Sequence, residues 1–396
     1  MDHTGRESLG VLKMGRTALV LGGGIGGITV ANELRKRLSP QDRVIVIERN
    51  GEYVFPPSLL WLSVGLRSLQ QIQRPLRQLL RTDIELVQGN VEAIDPANRT
   101  VTVGTELMRA DAIVIALGAE LSAESIPGLA QAGYNFYSPP GSERLSKALG
   151  SFTGGKVVIL TASPSYKCPA APYEEAMLIE DALRRRGLRE CSTVEVHAAE
   201  AAPMLTAGPK VAAALVEMLR TKGIAYFPNH QVTSADPVAQ LLSFADGSTA
   251  PYDLLAFVPV HYPPPLLADS GLGGDGGWIS VDRSLLHTQF ADIYAIGDVT
   301  SIPLKMGKPL PKAGIFAGAQ AKILARNIAN AWAGRAASEH FDGRGACFVE
   351  TGGSRAALGA GNFFAEPTPA VALRPPSQLW HIEKVLLEKK WLRRWL

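Results

Sequence analysis

Residues Thr17–Leu21 form a short apolar stretch that runs straight into Gly22-Gly23-Gly24-Ile25-Gly26-Gly27. The following segment reads as a helix with Ile28, Val30, Ala31 and Leu34 on its inner face, and a second strand, Arg43–Glu48, ends in an acid. Gly22, Gly24 and Gly27 satisfy GxGxxG, and Glu48 stands 21 residues after Gly27. No other feature constrains the fold as strongly. Glycines allow a tight turn and close approach of the backbone to a pyrophosphate, whose charge the helix N-terminus stabilises. The terminal acid is placed to bond a ribose hydroxyl. The order of these parts, rather than the glycines alone, predicts a dinucleotide-binding unit.

A ribose acid does not separate FAD from NAD. Two later segments bear on that choice. Residues 110–117 form an apolar strand ending at Gly118-Ala119, and a second one, within Thr288–Val299, ends in Gly297-Asp298. Together they resemble the FAD signature of flavoproteins with two dinucleotide folds. The resemblance implies that Gly118, Gly297 and Asp298 close an FAD site, with the aspartate at the ribityl-pyrophosphate region.

A second βαβ pattern opens at Gly155–Leu160, where a related reductase would bind a pyridine nucleotide. The loop that follows, Thr161-Ala-Ser-Pro-Ser-Tyr-Lys-Cys168, has no GxGxxG. Pro164 and Tyr166 remove the flexibility a pyrophosphate requires. The expectation is a retained fold without NAD(P)H binding. An amphipathic helix is predicted over 174–186, and a strand from Val194.

Cys168 lies in Lys-Cys-Pro-Ala-Ala-Pro-Tyr-Glu and Cys347 in Gly-Ala-Cys-Phe-Val-Glu-Thr-Gly-Gly. Neither belongs to a CxxC pair, and no His/Cys/Asp/Glu cluster has zinc spacing, so no metal is expected. With the Tyr53–Gly65 segment, Val258–Pro265 and the Pro311-Lys312-Ala313-Gly314 turn, these motifs resemble the sulfide:quinone oxidoreductase and flavocytochrome c sulfide dehydrogenase flavoproteins. The likeness covers about residues 16–395. It implies that Cys168 and Cys347 form a redox disulfide on one flavin face. It also implies that Glu174, six residues after Cys168, accepts a proton, and that Lys312 lies at the flavin's pyrimidine end. The third active cysteine that many of these quinone reductases carry has no counterpart in 119–154. Cys191 is expected to be a small packing residue, and His261 a loop-packing or flavin-neighbouring residue.

The expected architecture is α/β: two Rossmann-like three-layer dinucleotide-binding domains plus a C-terminal tail. The expected divisions are 1–15 disordered, 16–120 and 252–330 for FAD, 121–251 for the second Rossmann-like domain, and 331–396 for the tail. A formal charge of +3 is too small to argue for nucleic acid. Residues 1–15 lack an apolar signal core, and no apolar run approaches the length of a membrane span. The expected location is therefore cytoplasmic, peripheral at the inner face of the membrane. Trp380, Trp391 and Trp395 beside Lys384, Lys389, Lys390, Arg393 and Arg394 suit a helix lying on a membrane surface, the competing reading being a helix docked on the protein or in a dimer interface. The expected partners are sulfide and a quinone, with homo-oligomerisation left open. Two rivals stand beside sulfide oxidation. One is a type II NADH:quinone oxidoreductase. The other is a flavin-bearing partner-binding protein with a dormant disulfide.

Overall fold

The structure is a computed structural model that describes residues 15–393. The segment expected to be disordered therefore lies, but for Gly15, outside the described residues, as do Arg394 and Trp395. The glycine turn joins β1 (Thr17–Leu21) to α1 (Ile25–Arg35), and the chain continues through β2 (Arg43–Glu48), β3 (Glu85–Gln88) and β4 (Ala112–Ile115). β1 and β4 are Val/Ile/Leu-rich and almost wholly buried, the composition of strands covered on both faces.

The chain then builds a second sheet. It contains β5 (Tyr134–Asn135), β6 (Gly155–Thr161), β7 (Ser192–Ala198), β8 (Ile224–Phe227) and β9 (Leu254–Val258), with helix α2 (Ala171–Arg185) following β6. Helix α2 starts three residues before the expected Glu174, because Pro172 presets the first turn. The return to the first sheet, expected at 252, comes after Val258, since β9 pairs with both β5 and β6. β10 (Ile293–Ala295) then joins β4. The spatial orders are β10-β4-β1-β2-β3 and β5-β9-β6-β7-β8, with every pair parallel.

Helix α3 (Gly314–Trp332) packs along α1. A Cβ on Gly314 would come within 2.5 Å of the tip of the Ile25 side chain, so the glycine lets the two helices meet without moving that isoleucine. Beyond α3 an antiparallel sheet, β11 (Arg344–Gly352), β12 (Arg355–Asn362) and β13 (Ala370–Ser377), leads into α4 (Gln378–Leu392).

α4 is inside out. Lys384, Glu388 and Leu392, four residues apart, are buried, whereas Leu379, Ile382, Leu386 and Leu387 are exposed. Trp391 stacks on Phe55 at 6.1 Å, and Glu388 accepts a hydrogen bond from Ser58 and a bidentate one from Arg67. The expectation that Lys384 faces lipid is therefore corrected: it points into the protein. Among the described residues no helix is long and apolar enough to cross a membrane.

Candidate active site

The N-terminus of α1 is left open. Its N-cap, Gly24, supplies no side-chain bond, no acid occupies the first turn, and a Cβ on Gly24 would meet nothing within 4 Å. Gly22 has φ +103°, and a Cβ on Gly27 would sit 1.8 Å from the Gly22 carbonyl oxygen. Amides and helix dipole thus converge on space suited to an anion. Glu48 accepts from the Gly23 N–H at 2.6 Å and from the Asn50 N–H at 3.0 Å. A carboxylate has about four acceptor positions, so lone pairs remain for a ribose hydroxyl. Gly118 (φ +73°) and Gly297 (φ +74°) end β4 and β10 in left-handed turns beside this cradle.

Asp298 follows Gly297. Burial raises its carboxyl above the usual range, against the charges of Lys167 and Lys312. Lys312 is buried, donates to the carbonyls of Asp298 (2.6 Å) and Thr300 (3.0 Å), and lies 3.4 Å from the Trp278 ring centroid. Burial brings its ammonium down to about 8, with Asp298 opposing. The Lys312 carbonyl in turn accepts from the Cys168 N–H at 2.7 Å, which ties the cysteine loop to this turn.

Cys168 is held at φ +51°, and its carbonyl accepts from the Tyr137 hydroxyl. Cys347 enters from β11. Both residues are half-buried free thiols, yet burial dominates both sulfurs. It pushes Cys168 well up, with the charges of Cys347 and Glu174 adding, and pushes Cys347 up to about 12, with Glu174 adding. Lys384 opposes both shifts. The two cysteines, Glu174 and Lys384 thus share one electrostatic neighbourhood.

Glu174 is buried and accepts at Oε2 from the Lys384 ammonium at 2.7 Å and from the Glu350 N–H at 2.9 Å. Burial alone would lower the Lys384 pKa; the charges of Glu174 and Glu350 overcome it and leave it raised. Lys384, Glu350 and His381 were absent from the sequence-based site. For Lys384 the signal was the stripe Lys384/Glu388/Leu392, which sets two charges on one helical face with a leucine; Glu350 and His381 carried none.

The second loop is closed from within. Glu200, just past β7, accepts from Thr161 Oγ1 at 2.7 Å and from the hydroxyls of Tyr166 and Tyr173. His261 is buried with Nδ1 2.9 Å from the Pro259 carbonyl and lies between the Tyr137 and Tyr166 rings. Cys191 is exposed, not a packing residue; its Sγ lies 3.2 Å from the Leu188 carbonyl oxygen at the turn before β7.

Residues 16–321 match the family described as pyridine nucleotide-disulphide oxidoreductase. The chain belongs to that family. It is an oxidoreductase, and the flavin cradle of this family, which fits the residues above, holds FAD. The chain is 26% identical over 364 residues to the mitochondrial sulfide:quinone oxidoreductase of Mus musculus, covering 88% of this chain and 78% of that protein. It is 27% identical over 339 residues to the sulfide-quinone reductase of Aquifex aeolicus, covering 80% and 77%. The X-ray structure of the Aquifex aeolicus sulfide:quinone oxidoreductase superimposes with a TM-score of 0.84 at 22% identity, over 95% of this chain and 91% of that one.

Proposed function

We propose that the protein oxidises sulfide and passes the electrons through FAD to a quinone. The observation that carries this reading is the joint placement of Cys168, Cys347 and Glu174: Glu174, six residues after Cys168, accepts from the Glu350 N–H of the strand that carries Cys347, although the cysteines stand 179 residues apart in the chain. Residues 16–120 and 259–330 form the FAD-binding domain; Gly22, Gly24, Gly27, Glu48, Gly118, Gly297, Asp298 and Lys312 hold the cofactor. FAD supplies a two-electron acceptor that quinone reoxidises. Hydrosulfide attacks a Cys168–Cys347 disulfide, forming one S–S bond and breaking another, so that one sulfur becomes a persulfide and the other a thiolate. Burial disfavours that thiolate, and Lys384 opposes the penalty only in part. Glu174 accepts the persulfide proton.

The closed second loop favours this reading over an NADH:quinone oxidoreductase. Where a pyridine nucleotide would need free amides and a free acid, Glu200 is committed to Thr161, Tyr166 and Tyr173. The outward row Leu379, Ile382, Leu386 and Leu387, beside Lys389 and Lys390, supports attachment to a membrane surface, where a quinone is reached. An anaerobic titration discriminates the readings. Sulfide should bleach the bound flavin and NADH should not. Bleaching by NADH alone would favour the rival reductase, and bleaching by neither would favour a binding role. Replacing Leu379, Ile382 and Leu386 by serine should release the protein from anionic vesicles. Unchanged sedimentation would assign that row to another partner.

A further inference from the structure

The site contains a buried chain of proton-carrying groups that ends near solvent. Glu174 Oε2 lies 2.7 Å from Lys384 Nζ, and the same Nζ lies 3.9 Å from Glu350 Oε1. The Glu350 carboxylate sits 3.0 Å (Oε2) and 3.2 Å (Oε1) from His381 Nδ1. The side chains of Glu174, Lys384 and Glu350 are at most 7% exposed, whereas that of His381 is 22% exposed. Strand β11 carries both Cys347 and Glu350, α4 carries both Lys384 and His381, and α2 supplies Glu174, so three elements assemble the whole series. The Trp61 ring meets His381 edge-on at 5.9 Å and lies 5.0 Å from Lys384 Nζ, walling the series on one side.

We propose that Lys384, Glu350 and His381 conduct protons between Glu174 and solvent, with His381 as the surface port. This rests on the sulfide-oxidation reading for its purpose but not for its existence. A Glu174 that has taken the persulfide proton is blocked by neighbours that exclude water, and it must be cleared before the next turnover. The Lys384 ammonium gives a proton to Glu350 and takes one from Glu174, so its charge is unchanged. Glu350 passes the proton to His381, and His381 passes it to water. Glu174, Lys384 and Glu350 each regain their starting charge; His381 takes the proton at Nδ1 and releases one from Nε2, and a turn of the ring restores its first tautomer, so no oxidant or reductant is consumed. His381 and Glu350 are positioning and relay residues, since neither touches the reacting sulfurs.

The test uses the FAD-loaded full chain. Hydrogen exchange of the Lys384 ammonium, followed by NMR without sulfide, should slow about ten-fold in His381→Ala and in His381→Gln, and similarly in Glu350→Gln. Millimolar imidazole should restore exchange in His381→Ala only, an effect a merely structural role does not predict. In rapid mixing with sulfide, the first bleaching of flavin by His381→Ala should stay within about two-fold of wild type. Steady-state turnover should fall about ten-fold at unchanged KM. Wild-type exchange in folded His381→Ala and His381→Gln would overturn the relay. Slowed exchange with no bleaching of the wild-type flavin would instead overturn the sulfide reading and leave the relay standing.

Discussion

The molecule uses one topological unit twice, with opposite outcomes. In β1–α1 the glycine turn leaves the helix N-terminus without a cap or an acid in its first turn, and Glu48 keeps acceptor capacity to spare. In β6–α2 the corresponding loop carries proline and tyrosine, the first turn of α2 contains Glu174, and the acid past β7 is enclosed by three hydroxyls. A nucleotide site depends less on the βαβ path than on which polar groups are left unpaired at its mouth. Once the second unit satisfied its own acid and supplied its own anion to its own helix, its loop was free to hold a thiol.

The strongest way to break this comparison is to test the thiol. Cys168→Ser and Cys347→Ser should each retain FAD yet lose sulfide-driven bleaching by about a thousand-fold, because attack on a disulfide needs both sulfurs. Cys191→Ser, altered at an exposed turn, should bleach at the wild-type rate. Near-normal bleaching in either of the first two would detach the loop from the chemistry.

The open mouth of the first unit predicts the next effect. Gly24→Leu adds a side chain where a Cβ meets no protein atom, so the fold should survive. Flavin content, read from the visible absorbance of the purified protein, should fall about ten-fold or more, equivalent to at least ~1.4 kcal/mol of binding. Retained colour would mean that the pyrophosphate does not lie there.

The closed mouth of the second unit predicts a loss of stability without a gain of function. Tyr166→Phe strips a buried hydroxyl from the Glu200 carboxylate and should cost about 1.5–3 kcal/mol in denaturant unfolding. NADH should still fail to bleach the flavin. Bleaching by NADH in this variant would make the tyrosine a removable plug over a working nucleotide site.

The smallest effect is a pH slope. Glu175, also in the first turns of α2, is fully buried, and neither oxygen makes a well-formed hydrogen bond. The nearby Ser63 hydroxyl donates to the Leu60 carbonyl at 2.7 Å. Burial raises the Glu175 carboxyl to about 8, with Ser63 only partly opposing. The folded state thus holds the proton more tightly than the unfolded one. Its contribution is fully present below the unfolded value of 4.5 and is lost as pH rises through about 8. Between these limits stability should decline by up to about 1.4 kcal/mol per pH unit from this group. Glu175→Gln should flatten the slope. An unchanged slope would show that solvent reaches the carboxyl and that the second unit's interior is less closed than the first comparison requires.

Local signals carried most of the fold. Glycines, apolar strands and terminal acids act over a few residues, and β1, β2 and the turn at Gly297 stand where the pattern put them. The Cys168, Cys347 and Glu174 grouping was legible only through the resemblance, because its members meet by tertiary packing. Two features escaped. The Glu200 cage joins residues up to 39 apart that have no shared periodicity. Lys384 was read as a surface charge because charges on a helix near aromatic residues ordinarily face water; its burial follows from Glu174, which lies 210 residues away. The β11–β13 sheet was also hidden, its glycine-rich middle strand having little alternation to read.

The inverted polarity of α4 has a consequence for how the protein is made. During synthesis α4 leaves the ribosome after both sheets, the cysteine loop and Glu174. Until then Glu174 and Glu350 have no buried cation, and the protein interior disfavours two uncompensated carboxylates. Without α4 the interior around Glu174 and Glu350 lacks the Lys384 ammonium that faces both carboxylates. Docking of α4 thus supplies the one buried cation that faces Glu174 and Glu350 among the described residues, and ties the seating of that helix to the charge balance of the interior.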